Sequence, residues 1–147
     1  MVQYPDTFLR GMLSDDPQWF KDGMVQPAVF KDGFDDPGRS GRNEMSINWH
    51  DGDEAVTELM NRPHKSEHRP NFLGGVAVAD RGEIDRIKIH KNFTGCCISY
   101  ERSPILGNEY HGNILFSGNK SDTRISMFCA ILASTAGRIK REEWMQQ

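Results

Sequence analysis

The chain has 147 residues, 27% of them charged, and a formal net charge of -3. That is the size of one ordinary domain with a single core, and the charge excludes both the basic excess of a nonspecific nucleic-acid binder and the acidic excess of a disordered tail. Three cysteines, two of them the adjacent Cys96 and Cys97, do not make a secreted disulfide framework and suit a reducing compartment, so a cytoplasmic location is expected. No apolar stretch approaches the ~20 residues needed to cross a bilayer. Residues 1–10 show no basic segment followed by an apolar run, so a soluble protein without a membrane partner is expected.

In chain order, Thr7-Phe8-Leu9-Arg10-Gly11-Met12 reads as a first strand. Ser14-Asp15-Asp16-Pro17 offers an N-cap, acidic first-turn residues and an early proline for a short helix or turn through Trp19-Phe20, which Asp22-Gly23 ends. Pro27 has no N–H to give to a ladder, so residues 24–30 are expected as an edge strand or an extended loop. Residues 31–43 are rich in Gly, Asp, Pro and Arg, with Phe34 almost the only apolar residue, and are expected as a long exposed loop. The next stretch, Glu44-Met45-Ser46-Ile47-Asn48-Trp49-His50, alternates strictly. Met45, Ile47 and Trp49 form a core face, and Ser46, Asn48 and His50 a polar row.

Asp53 caps a short helix with Ala55, Val56, Leu59 and Met60 on one side, and Pro63 limits its length. Residues 63–70, bracketed by prolines, form a polar loop, and the Gly-Gly-Val-Ala-Val run within residues 72–79 reads as a buried strand. Residues 80–85 are expected to form a turn or one helical turn. Ile87-Lys88-Ile89-His90 alternates as a strand would, and Cys96-Cys97-Ile98-Ser99-Tyr100 and residues 110–116 are further strands. From Ser121 onward, Ile125, Phe128, Cys129, Leu132, Ala136 and Ile139 follow a helical period. This predicts a long C-terminal helix with Arg138, Lys140 and Arg141 in its last turns, where cations complement the dipole. Strands outnumber helices without alternating with them, so the expected class is α+β. It is a single domain over residues 1–147: a largely antiparallel sheet, a short middle helix and the C-terminal helix.

Tyr110-His111-Gly112-Asn113-Ile114-Leu115-Phe116 repeats the alternation, with Tyr110, Ile114 and Phe116 on one face and His111 and Asn113 on the other. If the two strands are neighbours, Ser46, Asn48, His50, His111 and Asn113 converge into one ligand-binding patch, with Asp51 and Glu109 at its margins. The alternative is that these side chains face water or cap loops. No cofactor is called for. His64 and His68 lie four apart, but the flanking prolines disfavour a helix and the cysteines lack CxxC spacing, so no metal is expected. Cys129 reads as core, and neither Cys96 nor Cys97 has an arrangement that marks a nucleophile. Lys31, Arg39, Arg42, Lys65 and Arg69 could clamp phosphate. Asp32, Asp35, Asp36 and Glu67 cancel much of that field, and nucleic acid is a disfavoured partner.

The ordered series Phe8-Leu9-Arg10, Trp19-Phe20-Lys21-Asp22-Gly23-Met24-Val25 with Ala28-Val29-Phe30, Met45-Ser46-Ile47-Asn48-Trp49, Gly75-Val76-Ala77 and Asn108-Glu109-Tyr110-His111-Gly112-Asn113-Ile114 resembles a group of small uncharacterised bacterial proteins. Gln26-Pro27 departs from the serine pair of that pattern. The resemblance implies a compact bacterial or phage accessory protein and no particular chemistry. Arg10, Ser46 and Glu109 also occur in the order in which ADP-ribosyltransferase-type folds place a basic residue, a serine and a late glutamate around NAD. That likeness implies these three as catalytic candidates, and His111 is a fourth. The leading expectation is a cytoplasmic accessory or interaction module that binds another protein or a small ligand through the polar sheet face. The alternative is a small enzyme acting on NAD or nucleotides.

Overall fold

In the computed structural model, which describes residues 3–34, 43–117 and 123–146, β1 (Thr7–Met12) buries Phe8 and Met12 on one face and Leu9 on the other. Asp22 and Gly23, at φ 53° and 77°, form the two-residue turn that joins β2 (Phe20–Lys21) to β3 (Met24–Val25). Two consecutive positive φ values are what a type I′ hairpin turn requires. In place of the expected edge strand or extended loop after Pro27, a helix begins there: α1 (Ala28–Phe34), which buries Val29, Phe30 and Phe34. Proline is well placed at a helix start, where the first N–H groups have no intrahelical partner, and the Pro27 carbonyl accepts from the Phe30 and Lys31 N–H groups. Residues 31–34 of the expected 31–43 loop therefore belong to α1, and residues 35–42 lie outside the described residues.

β4 (Glu44–Trp49) buries Met45, Ile47 and Trp49, and α2 (Asp53–Met60) buries Ala55, Val56, Leu59 and Met60, both as their spacing predicts. β5 (Gly75–Asp80) is buried over most of its length. Residues 80–85 enter a longer helix than the expected single turn. α3 (Arg81–Lys88) is capped by Asp80, which accepts from the Gly82 N–H at 2.8 Å, and it buries Ile84 and Ile87, three apart. The alternation seen at Ile87 to His90 is overridden, and Ile89 is exposed. So short an alternating run does not separate a strand from the last turn of a helix.

β6 (Ile98–Arg102) begins after Cys96 and Cys97, so neither cysteine stands on a strand as expected. β7 (His111–Phe116) begins after Tyr110, which packs with Leu9 and α2 and not on the Ile114 and Phe116 face. α4 (Thr123–Thr135) buries Ile125, Phe128, Cys129 and Leu132, but it is not the long terminal helix expected. The sequence continues as β8 (Gly137–Ile139), which pairs Ile139 with Val76 and Arg138 with Ala77, and as the short α5 (Arg141–Met145). Pairing with β5 overrides the helical period at Ala136 and Ile139. Arg138 lies on a strand and binds the Gly74 carbonyl at 2.9 Å and Asp15, while Lys140 and Arg141 open α5. Arg141 does meet a helix C-terminus, but that of α2, donating to the Met60 carbonyl at 2.6 Å.

The six-stranded sheet runs β6-β7-β4-β1-β5-β8 with every neighbour antiparallel, so the fold is α+β. One face carries the main core: Phe8, Ile47, Trp49, Ala77, Ile114 and Phe116 against α1, α3 and α4. On the other face Leu9 and Val76 meet α2, joined by Phe72 and by Trp144 from α5. α2 packs over β1, β4 and β5. The start of β4 together with β7 and β6 makes up the remainder of that second face.

The β1–β4 ladder pairs only Phe8 with Trp49 and Leu9 with Asn48. Beyond it, Arg10 bridges the elements from the main-core face. Its Nε donates to the Val29 carbonyl of α1 at 3.1 Å and its Nη1 to the Ser46 carbonyl of β4 at 2.7 Å. Burial pulls this guanidinium below its ordinary range, against the opposing pull of Asp32. A lysine has no planar fork to make both bonds. Arg10→Lys is therefore expected to lower stability by about 1.5–3 kcal/mol, the scale of a hydrogen bond to a charged group. An unchanged urea midpoint would remove Arg10 as the tie between α1 and β4.

Candidate functional site

Side chains opposite one another on paired strands share a face. β4 and β7 are neighbours, pairing Ser46 with Asn113 and Asn48 with His111, and β6 places Glu101 opposite Asn113. Ser46, Asn113 and Glu101 thus form one line across three strands, with Asn48 and His111 in the next line.

The polar groups divide according to the bonds they already make. Asn48 is only 1% exposed. Its Nδ2 donates to the Ala55 carbonyl at 3.1 Å, its Oδ1 accepts from Asn108 Nδ2 at 2.8 Å, and Asn108 Oδ1 accepts from the Tyr110 N–H at 3.1 Å. These two amides fasten α2 and the loop before β7 to the sheet, the kind of satisfied buried network that fixes a unique arrangement. His50 also serves the fold, with Nδ1 3.0 Å from the Thr7 hydroxyl and its N–H on the Thr7 carbonyl. Asp51, expected at the patch margin, is clamped by Arg102 through bonds of 2.9 and 3.1 Å.

Ser46, Asn113 and His111 are different. Ser46 is exposed. Asn113 is 4% exposed, and its Nδ2 donates to Glu101 Oε1 at 2.7 Å. An ionised carboxylate only accepts, so this bond fixes the amide with Oδ1 turned away from Glu101. That oxygen exposes less than 1 Å² and has no hydrogen-bond partner among the described residues, a state that costs about 1–3 kcal/mol. His111 Nδ1 lies 2.7 Å from the Ser103 carbonyl. A carbonyl cannot donate, so Nδ1 carries the proton and Nε2 presents a lone pair in the neutral ring. Glu44 is opposite Leu115 on this face. Glu44 and Glu101 have further interactions of their own, so neither is an open contact.

The series Arg10, Ser46 and Glu109 does not converge. Arg10 pairs with Ala77, which belongs to the main core. Its side chain is therefore on the face opposite the Ser46 side chain, and it touches Ser46 only at the backbone carbonyl. Glu109 lines a separate groove of about 560 Å³ between α2 and the loop before β7, with Glu54, Glu58, Ile105, Leu106 and Tyr110. In that groove the Tyr110 hydroxyl donates to Glu54 at 2.7 Å, and this bond, then desolvation, raises the phenol above its usual range.

Only part of the set considered as a phosphate clamp can be placed. Lys31 is on α1, Arg69 is held by Glu67 and the Pro70 carbonyl, and Arg39 and Arg42 lie outside the described residues. His64 Nδ1 accepts from the Ser66 and Glu67 N–H groups and so shapes its own loop. Among the described residues no group of three or more His, Cys, Asp or Glu is arranged to hold a metal ion. No described helix is long and apolar enough to cross a membrane.

Glu44 and Glu101 join the face without having stood out in the sequence. The alternation 44-46-48 and the step from Ser99 to Glu101 set their facing, but only the strand register brings them beside Asn113. Neither family models nor curated proteins nor solved structures provide a match to this chain.

Proposed function

We propose that this chain is an accessory or interaction module that binds a partner through the open half of its second sheet face, at Ser46, Asn113 and His111. One observation carries the reading: Asn113 holds a buried carbonyl oxygen that has no donor among the described residues, directly opposite exposed Ser46. The fold gains nothing from that oxygen, and a bound donor would satisfy it. Asn48, by contrast, has both arms engaged and supports the scaffold.

An enzyme is favoured by one feature, the His111 ring anchored through Nδ1 with Nε2 left as a base. The separation of Arg10 from the Ser46 hydroxyl weighs against NAD chemistry at that trio, and no nicotinamide release on incubation with NAD is the expected result. Release would reverse the ranking of the two readings.

Amide-resolved NMR titration with a panel of nucleotides, amino-acid amides and short peptides tests the site. Binding is expected to shift Ser46, Asn113 and His111 together. Ser46→Ala and His111→Ala should each weaken that binding about tenfold, or about 1.4 kcal/mol; Ser46→Ala should move Tm by less than about 2 °C, and His111→Ala, which also loses the Ser103 bond, by a few degrees at most. Shifts clustered elsewhere, or binding that survives both substitutions, would reject the face.

A further inference from the structure

We infer that the loop between α2 and β5, together with Arg141 of α5, forms a second binding site, separate from the sheet face, and that it takes a phosphate monoester. The loop is pinned by its own backbone. Pro63 and Pro70 form an isolated bridge, and the His64 N–H donates to the Arg69 carbonyl at 2.8 Å. His64 closes the turn between them, its Nδ1 accepting from the Ser66 and Glu67 N–H groups at 3.2 and 2.9 Å. A backbone N–H only donates, so the Nδ1 lone pair is taken and the ring proton is on Nε2. His64 therefore offers a donor. Arg69 gives Nε to Glu67 and Nη1 to the Pro70 carbonyl, which leaves Nη2. Arg141 gives Nη1 to the Met60 carbonyl at the end of α2, which leaves Nε and Nη2. These three half-buried side chains line one groove of about 420 Å³ with Asn61, Glu67 and His68.

The charges of the lining set the sign of the ligand. Glu67 is its one carboxylate, and it is engaged by Arg69. That bond first, then the charge of the same guanidinium and of His64, holds the Glu67 carboxyl below its ordinary range. Arg141 binds only the Met60 carbonyl and sulfur among the described residues, so its charge has no carboxylate partner there. A cation would meet two guanidiniums, and an apolar group would strip water from three donors. A carboxylate presents two oxygens. A phosphate monoester presents three on nearly two negative charges at neutral pH, and guanidinium forks match that geometry. Each of the three side chains already spends one arm on the main chain, so little rotamer freedom is left to lose on binding. The groove is also larger than one phosphate, within the ~300–1,000 Å³ of small-molecule clefts, and has room for part of the carrier. Of the loop cations that stand out in the sequence only Arg69 takes part. Arg141, 72 positions further on, arrives through the fold.

The experiment is an NMR titration of the full chain at neutral pH and fixed ionic strength, following the His64 ring and the Ser66, Glu67 and Arg141 amides. The probes are inorganic phosphate, adenosine monophosphate and Nα-acetyl-phosphoserine methylamide, with acetate and Nα-acetyl-arginine methylamide as controls. Saturable shifts are expected with all three phosphates, at least tenfold weaker with acetate and absent with the arginine probe. The tighter of the nucleotide and the phosphoserine probe identifies the carrier. Arg141→Gln should weaken phosphate binding at least tenfold. Because that change also releases the Met60 carbonyl, Glu67→Gln is its companion: it removes the one carboxylate at an exposed position, keeps the main-chain bonds of the loop and should tighten binding several-fold, a gain that a folding defect does not produce. Acetate binding as tightly as phosphate would overturn the phosphate assignment. No saturable shift at these residues with any phosphate, or binding left unchanged by both substitutions, would overturn the site itself.

Discussion

Adding one methyl group at position 112 is expected to cost about 3–5 kcal/mol, the sum of overpacking and an orphaned hydrogen-bonding group. A Cβ on Gly112 would stand 2.2 Å from Trp49 Nε1 and 2.5 Å from the Glu101 carbonyl oxygen. Those two atoms are themselves partners, 3.0 Å apart in the bond that ties the Trp49 indole to β6. Neither can retreat easily. The carbonyl belongs to the β6 backbone, and the fully buried indole is packed by Tyr4, Phe8 and Tyr100 at ring distances of 4.8, 6.2 and 5.9 Å. Gly112→Ala should therefore lower the urea midpoint sharply in a domain whose whole stability is of order 5–15 kcal/mol. In a Trp49→Phe background the same methyl should cost markedly less, because the smaller ring leaves room and the N–H bond is already gone. Additive losses would show that the indole is not what excludes a side chain at position 112.

Asn48→Leu is the second large effect expected, about 2–4 kcal/mol. Leucine has a comparable volume, so the loss is electrostatic in origin: buried Asn108 Nδ2 is left without its acceptor and the Ala55 carbonyl without its side-chain donor, at about 1–3 kcal/mol for each buried group stranded. The consequence extends along the chain, because Asn108 Oδ1 holds the Tyr110 N–H and Tyr110 leads into β7. Hydrogen exchange at the Tyr110 amide should accelerate together with the drop in unfolding free energy. If both remain at parent values, the amide pair does not fasten the loop.

The sheet was legible where one strand face is apolar. Met45, Ile47 and Trp49, or Ala55, Val56, Leu59 and Met60, leave a helix or strand little choice about which side it buries. What could not be read was tertiary competition. Ala136 and Ile139 continue the α4 period, yet Ile139 is needed opposite Val76 at the edge of β5, and pairing wins over propensity. Pro27 looked like a strand breaker and is a helix starter, since the proline ring has the same local effect in both settings. The candidate site was half legible. Alternation grouped Ser46, Asn48 and His50, and separately His111 and Asn113, but the facing of a side chain says nothing about its partners. Asn48 and Asn113 look alike in the sequence. Only the position of α2 over one end of β4, and the arrival of Asn108, make the first a satisfied structural amide and leave the second with an unpaired oxygen.

The unfolding free energy of Asn113→Leu tests most directly whether that oxygen serves a ligand and not the fold. The substitution removes the Asn113–Glu101 bond and also removes the orphaned carbonyl, and the two effects are of similar size, each about 1–3 kcal/mol. The predicted result is a stability within about 1 kcal/mol of the parent, together with loss of ligand binding at Ser46 and His111. A loss of about 3 kcal/mol, matching Asn48→Leu, would contradict it and make Asn113 one more part of the scaffold.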